Sequence, residues 1–248
     1  MRRPLERLAV VVPARNEERL LPDCLAALGE AAAHLHSQRP SIAVSVTVVL
    51  DRTTDGSAAV VRRYPLASAL HSEAGKVGAA RNAGIRNVLR RGAPAVIWIA
   101  NTDADSMVPR NWLLVQAEAA ARGWDVLAGT VQPDTSELTQ EQSVRWFGSH
   151  NLREGHGHIH GANLGFRADA YLRLGGFDDV TLHEDRNFVL AAAAAGLRIR
   201  STDAGRVRTS ARTHSRVHGG FADYLAREVV APALDSQATG KVTADTQA

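Results

Sequence analysis

The sequence predicts an α/β fold in which a mostly parallel sheet is covered by helices on both faces. Three observations predict it. Apolar runs of strand length alternate with amphipathic runs of helix length through the first half of the chain, the pattern of strand–helix units. The run Ala95-Val96-Ile97-Trp98-Ile99-Ala100 is continuously apolar, as a strand buried on both faces requires. Polar clusters rich in Asp, Asn and Thr follow the apolar runs, where the open edge of such a sheet carries its functional groups.

Taken in order, Leu8 to Val12 reads as the first strand. Leu21, Leu25, Leu28 and Leu35 then form one apolar helical stripe, and Pro22 is tolerated because it lies in the first turn. Val44 to Leu50 is the second strand and Ala69 to His71 a weak third. Residues 77 to 91 place Ile85, Val88 and Leu89 inward and arginines outward, with Gly92 as the stop. Ala95 to Ala100 is the fourth strand, followed by a helix from Pro109 to Arg122 that ends at Gly123, and by a strand from Val126 to Val131. Residues 134 to 160 show no clear period and read as a long irregular loop. Beyond them a helix is expected from Asp169 to Leu174 and another from Arg186 to Ala195, closed by Gly196. Strands are expected at Leu197 to Ser201 and near Arg206 to Thr209, then a helix from Phe221 to about Val230. Residues 235 to 248 are polar and aperiodic, and read as a disordered tail.

A chain of 248 residues with 45% hydrophobic and 22% charged residues is that of a soluble globular protein with one sizeable core. No apolar run approaches the length of a membrane span. Arg2, Arg3 and Arg7 precede only a short apolar stretch that runs into Pro13, Arg15 and Glu17, which reads as a first strand and not a signal peptide. The single cysteine, Cys24, excludes an internal disulfide framework and sits on the apolar helical stripe, so a cytoplasmic location is expected. The net charge of +3 comes from 29 basic and 26 acidic residues spread along the chain, with no basic block interleaved with aromatics, which argues against a nucleic-acid partner.

Asp103-Ala104-Asp105 carries the strongest chemical signal. Two carboxylates two residues apart, just past a buried strand, can converge on one ligand, and a hard divalent cation such as Mn2+ or Mg2+ wants such oxygens while keeping room for substrate phosphates. The plainer alternative is a strand-to-helix turn with Asp105 or Ser106 as a cap. Lys76, ahead of the helix that begins near residue 77, is placed either to touch a diphosphate or to be a solvated surface lysine. His150, His156, His158 and His160 are accompanied by flexible glycines and no cysteine, which favours a substrate-side loop over a zinc site.

The motifs Val12-Pro13-Ala14-Arg15-Asn16-Glu17, the Asp51 turn, Gly78-Ala79-Ala80-Arg81-Asn82-Ala83-Gly84, Asp103-Ala104-Asp105, Gly161-Ala162-Asn163, Gly175-Gly176-Phe177 and Glu184-Asp185 stand in an order and spacing that resembles the inverting family 2 glycosyltransferases. The resemblance covers about Leu8 to Arg200 and implies a GT-A fold. It implies that residues 1–234 form a single domain, with a nucleotide-binding part at about 8–133 and an acceptor-binding part at about 134–234. It further implies transfer of a sugar from a nucleotide-diphospho-sugar to a hydroxyl acceptor with inversion. By the same resemblance Pro13, Arg15, Glu17 and Asp51 line the base and ribose pocket, Arg81 lies near the nucleotide, and Asp103 and Asp105 meet ribose and metal-bound diphosphate. Glu184-Asp185, at a helix start whose dipole favours ionised carboxylates, supplies the general base, with Asp185 favoured and Glu184 left to bind the acceptor. The chain departs from the family where many members carry a histidine ligand, reading Val207-Arg208-Thr209-Ser210 instead; His214 and His218 read foremost as polar loop residues, with His214 or His218 the alternative third ligand. A homodimer is compatible with the sequence. The alternatives are a nucleotidyltransferase, which should carry a Gly-rich basic loop after strand one, and a nucleotide-sugar-binding protein without turnover.

Overall fold

The computed structural model describes residues 3–90, 92–212 and 221–230. They divide between two compact units, Met1–Pro133 with Leu152–Ser210 and Asp134–Asn151 with Ala211–Ala248.

The first unit is built on an eight-stranded sheet in the order β3-β2-β1-β4-β7-β6-β8-β5. Its regular half comprises β1 (Arg7–Ala14), β2 (Ala43–Asp51), β3 (Ala67–Ser72) and β4 (Ile97–Asn101), all mutually parallel. The other half departs from that rule. β7 (Leu164–Arg167) runs antiparallel to both β4 and β6 (Val126–Pro133), and β8 (Ile199–Thr209) is parallel to β6 with a register shift between Gly129 and Val131. The two short strands expected near residues 197 and 206 are therefore one long strand, carried across its irregularity by pairing with β6. β5 (Ser106–Met107) follows the Asp103 turn and pairs with Thr209 and Arg208.

Alternation along each strand sends side chains to opposite faces. Leu8, Val10 and Val12 pack with Leu21, Cys24, Leu25, Leu28 and Leu35 of α1 (Leu21–Gln38), with Val60 and Val61 of α2 (Ser57–Val61), and with Trp112 and Leu113 of α4 (Trp112–Ala121). Ala9 and Val11 pack on the other face with Ala80, Ile85 and Val88 of α3 (Val77–Leu89), Tyr171 of α6 (Ala168–Leu174) and Phe188 of α7 (Glu184–Ala194). Each fully buried leucine or valine contributes roughly 1.5–3 kcal/mol. α3 presses close to the sheet because position 84 is glycine; a Cβ there would lie 2.6 Å from Val11 Cγ1.

Residues 134–149 correct the expected loop. After a 3-10 turn, α5 (Gln140–Ser149) begins at a capping box in which Thr139 accepts the Gln142 N–H and Gln142 accepts the Thr139 N–H. The Thr139-x-x-Gln142 signature was legible, but the helix has only a narrow apolar stripe, which masks its period. Within this second unit Trp146 is buried with Leu225 and Val229, stacks on His150, and meets Phe221 and Tyr224 edge-on. Phe221–Tyr224 is α-helical and continues as a π-helix to Val230. The helix expected to start at Pro109 starts at Trp112.

Candidate active site

The ends of β2, β1 and β4 lie side by side, so the turns that follow them share one edge. Asn16 adopts a left-handed backbone (φ 54°), and its Oδ1 accepts the Thr54 N–H at 2.7 Å. Glu18 accepts the Gly56 N–H at 2.7 Å, Asp55 accepts the Glu18 N–H at 3.0 Å, and the Glu17 N–H donates to Ser57 Oγ at 3.0 Å. These bonds stitch the turns after β1 and β2 into one shelf. Pro13 is half-buried on it, Arg15 is exposed and Glu17 is buried. Asp51 is buried, and both its oxygens take the Gly75 N–H, at 3.1 and 2.9 Å, which fixes the loop before α3. Lys76 follows in that loop and pairs with Asp179 at 3.1 Å, so its ammonium is held by the chain entering α7.

The Asp103 turn is tied down from three sides. The Ser106 N–H donates to Asp103 O at 3.1 Å, Cys24 donates its thiol to the same carbonyl at 3.4 Å, and the Ser210 N–H donates to Asp105 O at 3.0 Å. Burial, with Asp105 and Asp103 nearby, pushes the Cys24 thiol well up, so it stays protonated and donates. A hydroxyl relay reaches the second carboxylate: Ser106 Oγ donates to Thr209 at 2.8 Å, and Thr209 Oγ1 donates to Asp105 Oδ1 at 3.3 Å. Thr209 thus stands beside Asp105 on the strand where many members of the resembled family carry a histidine.

Arg81 organises the other side. Its guanidinium is buried, donates to Asp103 Oδ1 at 2.6 Å, and pairs with Glu184 Oε1. Burial alone would lower the pKa of this arginine; the charges of Asp103, Glu184 and Asp185 outweigh it and hold the cation firmly protonated. Burial pushes Glu184 above the usual carboxylate range even though Arg81 opposes the shift. Asp185 is placed differently, for its Oδ2 accepts the Gly161 N–H at 2.6 Å and its Oδ1 the Arg186 N–H at 2.7 Å. The neighbouring α3 residue, Asn82, exchanges hydrogen bonds with the Phe177 backbone at 2.8 and 3.0 Å. The Gly78–Gly84 motif therefore clamps the segment that delivers Glu184 and Asp185.

The structure brings Arg81, Asp103, Glu184 and Asp185 together, with Asp105 two residues along the same turn. His156, His158 and His160 lie in the first unit, with His158 tilted against His156 at a centroid spacing of 5.6 Å and stacked on His160 at 6.0 Å, whereas His150 belongs to the second unit. Burial lowers His156, whose Nε2 lies 3.2 Å from Thr202 O. No group of three or more His, Cys, Asp or Glu side chains arranged for a metal occurs among the described residues. His214, His218 and the expected tail at 235–248 lie outside them. Sequence reasoning missed Thr209, Ser106, Cys24 and the reach of Arg81 to Glu184. Each depends on residues about 80 to 100 positions apart in the chain. The expectation that the arginines of residues 77 to 91 face outward fails at Arg81, which is buried because Asp103 and Glu184 pair with its guanidinium.

Glycosyl transferase family 2 matches residues 9–174. The chain belongs to that family. A comparison with curated proteins finds no match. Among solved structures, the chain is similar to a mannosyltransferase from Pyrobaculum calidifontis in complex with GDP-Man and Mn2+ (TM-score 0.60, 21% identity, 86% of this chain and 58% of that one). It is also similar to S. aureus TarS (TM-score 0.60, 17% identity, 82% and 36%). A third is the glucosyl-3-phosphoglycerate synthase from Mycobacterium tuberculosis in complex with Mn2+, uridine-diphosphate and glucosyl-3-phosphoglycerate (TM-score 0.54, 13% identity, 84% and 73%). At these identities the likeness shows the fold, which is GT-A, as the family resemblance implied. The chain spans 36% of the TarS chain and 58% of the mannosyltransferase chain. Among the described residues no helix is long and apolar enough to cross a membrane.

Proposed function

We propose that this family 2 member transfers a sugar from a nucleotide-diphospho-sugar to a hydroxyl acceptor, with inversion and with a divalent cation. The observation that supports the reading is the buried Arg81 bridge, which joins the carboxylate turn after β4 to the Glu184-Asp185 pair, the two carboxylate groups that the reading assigns to the donor and acceptor sides. The mannosyltransferase and synthase structures, which carry GDP-Man with Mn2+ and uridine-diphosphate with Mn2+, support the donor class.

The donor set fits Mn2+ or Mg2+. Asp103 and Asp105 offer hard oxygens, the nearby sulfur is a protonated thiol already committed to a carbonyl, and such cations accept a small protein ligand set completed by water and phosphate. Asp103 is already engaged by Arg81, so Asp105 is the direct ligand and Asp103 stands beside it or meets ribose. The cation would stabilise charge on the departing diphosphate. Pro13, Arg15 and Glu17 contribute the base and ribose side, with Asp51 shaping the loop beneath it and Lys76 at its rim. Asp185 acts as general base on the acceptor hydroxyl, held in place by the Gly161 and Arg186 amides. Residues of the 134–234 stretch set the acceptor. Inversion follows from direct attack opposite the leaving diphosphate. Cys24, a buried thiol, suits the reducing cytosol, and a homodimer is compatible with the reading.

A screen of nucleotide-sugars for thermal stabilisation and hydrolysis, with and without Mn2+ or Mg2+, tests the proposal. Metal-dependent stabilisation and turnover by one donor class are expected. Binding without turnover would leave a nucleotide-sugar-binding protein instead, and release of inorganic pyrophosphate from a nucleoside triphosphate and a sugar phosphate would make it a nucleotidyltransferase.

A further inference from the structure

The geometry points to Arg81 as a positioning residue that sets the distance between the Asp103 turn and the general base, acting on Asp185 through Glu184 and Gly161. The inference rests on the sugar-transfer reading above and adds to it a residue whose task is neither nucleotide contact nor proton transfer. One planar guanidinium spans both sides, with Nη2 on Asp103 Oδ1 and Nη1 on Glu184 Oε1. Two glycines clear its path. A Cβ at Gly161 would collide with the Arg81 guanidinium, and one at Gly78 would lie 2.9 Å from Glu184 Cγ. Gly161 is also the residue whose amide holds Asp185, so guanidinium, Gly161 backbone and base form one packed stack. Glu184 is nearly wholly buried, which removes it from acceptor binding and makes it the counter-charge that orients α7. Its neighbour Asp185, one residue on, is left partly open to the site.

The test compares R81Q, R81K, E184Q and the R81Q/E184Q double variant with wild type. The readouts are kcat and KM for donor hydrolysis or transfer with UDP-glucose and GDP-mannose in Mn2+, and calorimetric Kd for UDP and GDP with Mn2+. R81Q should lower kcat by about 100-fold or more, the scale of a misplaced general base, while nucleoside diphosphate affinity changes by less than about tenfold. The double variant should lose no more than about threefold beyond the worse single variant, because the two side chains act as a unit. R81K, which keeps the charge and the fold but lacks the fork, should recover part of the activity. Additive losses, a fall in nucleotide affinity matching the fall in kcat, or full activity in both Arg81 variants would overturn the role. Wild-type turnover beside an unaffected R81Q sinks this inference alone; no wild-type turnover on any donor sinks the transfer reading and this role with it.

Discussion

The two carboxylate pairs of the site share a chemistry and differ in setting. Asp103 and Asp105 sit on a half-exposed turn, contacted by hydroxyls, by the Cys24 thiol on the Asp103 carbonyl and by one arginine. Glu184 and Asp185 open a helix, one buried against Arg81 and the other held by two backbone amides. On the proposed function, the difference suits what each pair would do. A carboxylate that meets a cation and phosphate needs room for ligands that come and go, whereas a base needs its geometry held to a fraction of an ångström. Under that proposal, Glu184, buried, would anchor the pair, and Asp185, half-buried, would act on substrate.

That contrast can be broken most sharply at Asp185. Replacing it with asparagine keeps the shape and one of the two amide contacts, since the new Nδ2 donates and cannot accept, yet it removes the base, so turnover should fall by about 10²–10⁴-fold with donor affinity retained. Steady-state kinetics beside calorimetry measures both, and near-wild-type turnover would move the base to another residue. Asp105→Ala addresses the other pair, with the opposite signature: Mn2+-dependent binding of a nucleoside diphosphate should weaken by at least about tenfold, the cost of losing a direct carboxylate ligand. Binding that does not respond to Mn2+ removal in either protein would dissolve the distinction between the pairs.

Smaller effects sharpen it. Gly161→Ala drives a methyl into the Arg81 guanidinium and should cost about 1–3 kcal/mol of stability, as overpacking does, with turnover lowered as well. Urea titration at two pH values and a kinetic assay would register both; a fully stable, active variant would mean the stack has slack. Thr209→Val is the mildest. It removes the hydroxyl between Ser106 and Asp105, which should cost about 1 kcal/mol and weaken Mn2+ affinity only a few-fold. A loss as large as that of Asp105→Ala would make Thr209 itself a ligand.

The parallel half of the sheet was readable because its strands are local, apolar and separated by helices with their own stripes, as Leu21 to Leu35 illustrates. The other half was less so. Ile199–Thr209 was expected as two strands because its polar middle breaks the apolar run, and only pairing with β6 carries it through. Gln140–Ser149 hid behind a narrow stripe, although its capping box was in plain view.

By itself the sequence determined the alternation of strands and helices, the sheet edge bearing Asn16, Asp51 and Asp103, and the membership in a transferase family, since these rest on short-range periodicity and motif spacing. Only the tertiary structure decided that Arg81 ties Asp103 to Glu184, that Glu184 is buried while Asp185 is half-buried with its Oδ2 on the Gly161 amide, and that Thr209 stands beside Asp105. Those contacts join residues 22, 103, 24 and 104 positions apart, and no local pattern reports which of several equally suitable polar side chains the folded chain brings into reach.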